Sequence, residues 1–220
     1  MPAVLVVPRG GRVGITVAPL RRPRLGEAAA VLVDCFFEDA NIRAVYHPDP
    51  QWRAKALSHV FRAGLKDALG QGGPMIALDE ADVVVGAAMW LPPGAFRLTR
   101  WRRAMLIRHA LGIVLADPSS VPRQSRLTKA KDALHPAKPH WYLVALGVAE
   151  AARGQGIGSR LLAAGTARAD AEHTACYLET ADEDNVVFYQ NAGFEVLDDD
   201  AYFLDHGPRV WTMWREPLPL

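Results

Sequence analysis

The run Arg153-Gly154-Gln155-Gly156-Ile157-Gly158-Ser159 places three glycines on alternate positions at the start of an apolar-periodic segment. A strand, a glycine turn and a helix in that order make an anion site. The first turn of a helix has unpaired backbone N–H groups, and the helix dipole adds partial positive charge there. Glycines let the main chain approach a phosphate without a Cβ and adopt dihedrals that other residues resist. Two phosphate motifs fail on the residues themselves. A Walker loop needs Gly-Lys-Ser/Thr at its end, where this run has Gly158-Ser159-Arg160; a GxGxxG fingerprint would need glycine where Ser159 stands. Taken alone, the run also fits a glycine-rich helix start that only packs closely.

The spacing that matches is Arg-x-x-Gly-x-Gly, from Arg153 to Gly158, after an apolar stretch ending in Val148. Downstream stand Asn185, then Phe188-Tyr189 and Gly193-Phe194. In this order the two motifs resemble the acetyl-CoA site of the GNAT N-acetyltransferases. Trp141-Tyr142-Leu143, Leu178-Glu179-Thr180, Asn185-Val186-Val187-Phe188-Tyr189 and Gly207-Pro208-Arg209-Val210-Trp211 are similar to the puromycin N-acetyltransferase branch. The likeness covers His140 to Pro217, roughly a third of the chain.

The resemblance implies a mixed α/β, GNAT-like fold: a mostly antiparallel, twisted sheet of about six to seven strands, splayed at the cofactor site, with helices on both faces. It implies acetyl-CoA as co-substrate and no metal. The backbone of Leu146, Gly147 and Val148 would hold the acetyl carbonyl and pantetheine arm. The N–H groups of Arg153, Gly154, Gln155, Gly156, Ile157, Gly158 and Ser159 would hold the pyrophosphate, and Asn185 would touch the cofactor further along. Tyr189 matches the tyrosine that the family uses as general acid toward the departing thiolate. Packing beside Phe188 is the alternative.

An amine near pKa 10 must lose a proton before it attacks a thioester, so a base is required. Glu179 is the first candidate, with loop ordering or solvent exposure as its other reading. His140 is the second, although a lone histidine often caps or faces solvent. The implied reaction is acetyl transfer to the primary amine of a small molecule: an antibiotic, a metabolite or a polyamine. Acetylation of a protein N-terminus or lysine, and a non-catalytic acyl-CoA sensor, are the alternatives.

The elements that must position these residues follow from periodicity. Val13, Ile15 and Val17 alternate as a strand, and helices are expected over Leu25 to Phe37 and Gln51 to Leu69. Met75 to Leu78 and Val83 to Leu91 read as a hairpin turning at Asp79 to Asp82, stopped by Pro92-Pro93-Gly94. Trp141 to Val148, apolar on both faces, reads as a central strand. A helix carries Ile157, Leu161, Leu162 and Ala169, and Cys176 to Leu178 is a strand. A short helix over Val186 to Asn191 and strands at Phe194 to Leu197 and Val210 to Trp214 complete one domain over residues 1–220. Ala95 to Pro139 reads as two helices; the resemblance implies that it is an insertion, placed to cover the acceptor site. Its arginines, Arg97, Arg100, Arg102, Arg103 and Arg108, are expected on a solvated face. The resemblance implies an acceptor site between the first two helices and the loops above the central strands, which makes Phe36, Phe37, Tyr46 and Trp52 aromatic candidates for its wall or for plain core.

Composition narrows the partners. With 50% hydrophobic residues and a net charge of +1, the chain has neither the large basic surface of a nucleic-acid binder nor an acidic tail. Cys35 and Cys176 lie in no CxxC pair, which excludes zinc and disulfide frameworks of the usual spacing. Met1 to Val7 lacks the basic flank and length of a signal core, and Ala104 to Ala116 is broken by Arg108 and His109. The expectation is a cytoplasmic monomer or homodimer with no membrane or nucleic-acid partner.

Overall fold

The computed structural model describes residues 14–219. Val13 and the Met1 to Val7 segment fall outside the described residues. The strands are β1 Thr16–Pro19, β2 Met75–Leu78, β3 Val84–Leu91, β4 His140–Val148, β5 Ala175–Thr180, β6 Glu195–Tyr202 and β7 Arg209–Arg215. The helices are α1 Leu25–Phe36, α2 Ala40–Val45, α3 Pro50–Gly70, α4 Arg100–Ala116, α5 Val121–Leu134, α6 Ile157–Ala171 and α7 Glu183–Gln190. Together the strands make one seven-stranded sheet in the order β1-β2-β3-β4-β5-β7-β6. Every pairing is antiparallel except that of β4 with β5.

Helix starts follow the capping rule: Asp39, Asp49, Thr99 and Asp182 each accept a backbone N–H in the first turn of the helix they precede. Helix α2 had no expectation attached to it. At six residues it is too short to carry a periodic stripe, and only Asp39 signals its start. The core has two sides. Leu32, Leu57, Phe61 and Leu65 from α1 and α3 pack on one sheet face with Tyr142 and Tyr177. Leu161, Leu162 and Ile157 from α6 pack on the other with Trp90, Trp141 and Leu178.

Two departures in the sheet matter for the site. Met89 pairs with Ala145 while Trp90 pairs with Leu143, so Val144 is an extra residue bulging from β4. The β4–β5 ladder runs from His140↔Ala175 to Leu143↔Leu178 and stops there. From Val144 onward the β5-facing edge of β4 has no strand partner, so the sheet splits open at the bulge.

Helix α4 corrects one expectation. Arg102 is buried, its Nε and Nη2 donating to the carboxylate of Asp67 on α3 at 2.7 and 2.5 Å. The apolar residues Trp101, Ile107, Leu111 and Leu115 face outward instead. The ion pair to Asp67 fixes the helix's rotation, and with it which face meets the core. Arg97 keeps to the surface, opposite Asp132.

Candidate active site

A cavity of about 840 Å³ fills the split between β4 and β5. Eight of the residues expected to bind the cofactor or carry the chemistry line it: Leu146, Gly147, Val148, Arg153, Gly158, Glu179, Asn185 and Tyr189. The others, Gly154, Gln155, Gly156, Ile157 and Ser159, belong to the turn and first helical residues at its rim.

The turn is shaped for main-chain recognition. Gly154 and Gly156 have φ of +76° and +74°, in the left-handed region that glycine occupies without strain. The side chain of Ile157 is buried in the core, so only its backbone can serve a ligand. Arg153 N–H already donates to Glu150 O. Among the described residues, the N–H groups from Gly154 to Ser159 find no acceptor. Six consecutive unpaired donors at the positive end of α6 fit a diphosphate. Gly158 faces the cavity, and a Cβ there would meet Phe188 and Val148 only at ordinary contact distance. Cys35 is a neighbour that sequence reasoning left among plain thiols: its Sγ–H donates to Val148 O at 3.2 Å, and burial raises its pKa.

Tyr189 stands on α7 at the cavity wall, 9% exposed, edge-on to Phe188 and Phe194. Burial first, and the Asp182 charge second, push its phenol pKa up, so it is a proton donor at neutral pH. Asn185 donates through Nδ2 to Asp182 Oδ2 at 3.1 Å.

At the apex of the split lies Glu179, directly after Leu178, the last β5 residue paired with β4. Its side chain is only 3% exposed, and three donors reach it. Lys131 Nζ and Tyr142 O–H donate to Oε2 at 2.8 and 2.6 Å, and Tyr177 O–H donates to Oε1 at 3.2 Å. Burial, reinforced by the Glu179 charge, raises the pKa of both tyrosines, so both phenols stay protonated and donate. A carboxylate offers about four lone-pair sites, so one remains for a further donor entering from the cavity.

His140 does not line the cavity. Its Nδ1 meets Lys138 O at 2.7 Å and its Nε2 meets His135 Nε2 at 3.1 Å. Because a carbonyl only accepts, Nδ1 carries the proton and Nε2 accepts from His135. Burial lowers the pKa of both rings, that of His135 to about 4. His140 is thus a neutral, engaged residue among the rings of His135, Tyr177 and Trp214.

Sequence reasoning missed Lys131, Tyr142, Tyr177 and Phe203. Of these only Tyr142 entered the motif likeness, without a role, and Tyr177 lay within an expected strand. Of the aromatic candidates, Phe36 and Tyr46 line the cavity. Phe37 lies under the Arg53 guanidinium at 4.3 Å, and Trp52 is 45% exposed beside His47. Among the described residues no group of three or more His, Cys, Asp or Glu is placed to hold a metal ion. Among the described residues, no helix is long and apolar enough to cross a membrane.

Residues 125–196 match the family model described as an acetyltransferase (GNAT) domain. A solved structure described as "histone acetyltransferase HPA2 and related acetyltransferase" from Corynebacterium glutamicum aligns at 26% identity. It covers 94% of this chain and 98% of its own, with a TM-score of 0.71. A Drosophila melanogaster polyamine N-acetyltransferase aligns at 16% identity over 92% of this chain and all of its own, TM-score 0.57. Arabidopsis thaliana Naa50, bound to the bisubstrate analogue CoA-Ac-MVNAL, aligns at 17% over 93% and 99%, TM-score 0.51.

Proposed function

We propose that this chain, an acetyl-CoA-dependent N-acetyltransferase built on a GNAT domain, acetylates the primary amine of a small molecule within a ternary complex. The observation that carries the reading is one cavity that reaches Gly158 in the turn of six free backbone donors at one end and the Glu179 carboxylate at the other. Bound acetyl-CoA supplies an activated acyl group to that cavity.

In this reading the N–H groups of Gly154 to Ser159 bind the diphosphate, and Asn185 and the side chain of Arg153 flank the cofactor. The unpaired edge of β4 from Leu146 to Val148 orients the pantetheine arm and the acyl carbonyl. Glu179 accepts a proton from the incoming ammonium, directly or through water. Tyr189 donates its proton to the leaving thiolate. Helix α5, which lends Leu127 and Lys131 to the lining, covers the acceptor end. That cover favours a compact amine over an extended peptide, which requires an open groove.

The motif likeness to puromycin N-acetyltransferase and the polyamine-acetylating neighbour make an amino-bearing antibiotic and a polyamine the first acceptors to try. The test is thiol release from acetyl-CoA across a panel of puromycin, polyamines, arylalkylamines and peptides with free N-termini or lysines. Saturable turnover of small amines, lost in Tyr189→Phe, is expected. Preferential turnover of peptides would overturn the small-molecule reading, and tight binding without turnover of any amine would favour an acyl-CoA sensor.

A further inference from the structure

Of the lysines among the described residues, Lys131 alone lines the cavity. Its Nζ lies 2.8 Å from Glu179 Oε2 and 3.0 Å from the Tyr142 oxygen. It stands 5.0 Å over the Phe203 ring and 5.7 Å over that of Tyr142. A carboxylate, a phenol oxygen and two aromatic faces are what an alkylammonium ligand requires. The acceptor end of the cavity therefore already holds a primary alkylammonium, delivered on the lysine stem by α5.

The strand register puts that nitrogen where chemistry would occur. Leu143↔Leu178 is the last β4–β5 pair, Val144 is the bulge, and Glu179 is the next residue on β5. An acyl chain running down the split from the glycine turn ends at this apex, facing Glu179 and its partner. We propose that Lys131 is itself an acetyl acceptor, and that the enzyme transfers one acetyl group from acetyl-CoA to Lys131 Nζ. The inference rests on the cavity being the acetyl-CoA and acceptor site described under the proposed function.

The step balances without a further reactant. Glu179 takes one proton from the Lys131 ammonium, and the neutral nitrogen attacks the acyl carbon. The C–N bond forms and the thioester C–S bond breaks. Tyr189 protonates the departing sulfur, the nitrogen gives up its second proton, and one proton in total reaches solvent. Lys131 has a side chain 25% exposed, so water reaches the group to carry that proton away. The product amide keeps one N–H and no charge. It dissolves the ion pair with Glu179 and fills the acceptor end, so the mark limits itself to one per chain and competes with external amines. Lys138, paired with Glu216 on the surface and 62% exposed, is the internal comparison for uncatalysed modification.

The experiment incubates the purified chain with acetyl-CoA and no amine, followed by intact mass and peptide mapping. One acetyl group on Lys131 is expected. It should form with saturable dependence on acetyl-CoA, at a rate independent of protein concentration and at least about tenfold faster than at Lys138. Tyr189→Phe should slow it by about 100-fold, and a turned-over amine should slow it as well. Lys131→Arg, which keeps a cation for Glu179, should lose the mark while calorimetry gives an unchanged affinity for coenzyme A. A Lys131 left unmodified, or marked no faster than Lys138, overturns the inference. If that same preparation binds acetyl-CoA and acetylates an amine, the proposed function stands; if it binds no acetyl-CoA, both fall.

Discussion

The two walls of the cavity recognise by different means. On one side the glycine turn and α6 offer main-chain N–H groups, with glycine at three positions and the Ile157 side chain turned into the core. On the other, Phe36, Lys131, Glu179 and Phe203 converge from α1, α5, β5 and the segment after β6. Main-chain recognition needs glycine and a helix start in consecutive positions, so it leaves a spacing that can be read. Side-chain recognition gathers residues that are far apart in sequence, and no spacing records it.

If the walls divide the work in this way, variants should separate cofactor affinity, chemistry and stability. Tyr189→Phe stands at the junction and should lower kcat by about 100-fold to 10,000-fold. Calorimetric affinity for coenzyme A should remain near wild type, because the phenol is not part of the diphosphate cradle. A variant with full kcat would remove the tyrosine from the chemistry.

The Arg102–Asp67 pair tests the opposite extreme, a buried charge pair that lies outside the cavity. Asp67→Ala leaves the guanidinium of Arg102 buried without its partner and should cost about 3–5 kcal/mol of stability. Chemical denaturation reads that cost, while kcat of the folded fraction should be kept.

Gly158→Val probes the main-chain wall alone. An added Cβ meets neighbours only at 3.7 and 3.8 Å, so the fold should tolerate it, while the branched side chain projects into the cofactor path. Affinity for acetyl-CoA should fall by about tenfold or more, and the rank order of accepted amines should not change. A changed order would mean that the two walls are not independent.

The smallest effect concerns pH. His135 is held neutral by burial, with its pKa lowered to about 4, while an unfolded histidine titrates near about 6.5. Between those values the unfolded chain binds more protons, so stability falls as pH drops through this window and is restored above it. Buried His140 shifts in the same direction. His135→Phe, which can keep the stacking on Phe96, should flatten the fall of Tm between pH 6.5 and pH 4 relative to wild type. An unchanged slope would assign the acid sensitivity to other groups.

Legibility in the sequence follows the same division. The order of strands, the hairpin at Asp79 to Asp82 and the glycine turn were readable because each depends on local periodicity or turn chemistry. Strand β6 runs on to Tyr202, past the expected Leu197, because its outer residues are exposed acids without an apolar alternation. The bulge at Val144 depends on how β3 and β4 align, and nothing within β4 marks it. Helix α4 was read as a helix, but its rotation depends on Asp67, more than thirty residues away. Glu179 stood out by position; that Lys131 would meet it required the fold.

The most direct test of the main-chain cradle is a calorimetric titration of the purified chain with acetyl-CoA and, in parallel, with acetylpantetheine, which lacks the diphosphate and nucleotide. The account predicts saturable binding of acetyl-CoA and a loss of most of that affinity with the truncated thioester. Equal affinity for the two, or no binding of acetyl-CoA, would contradict it.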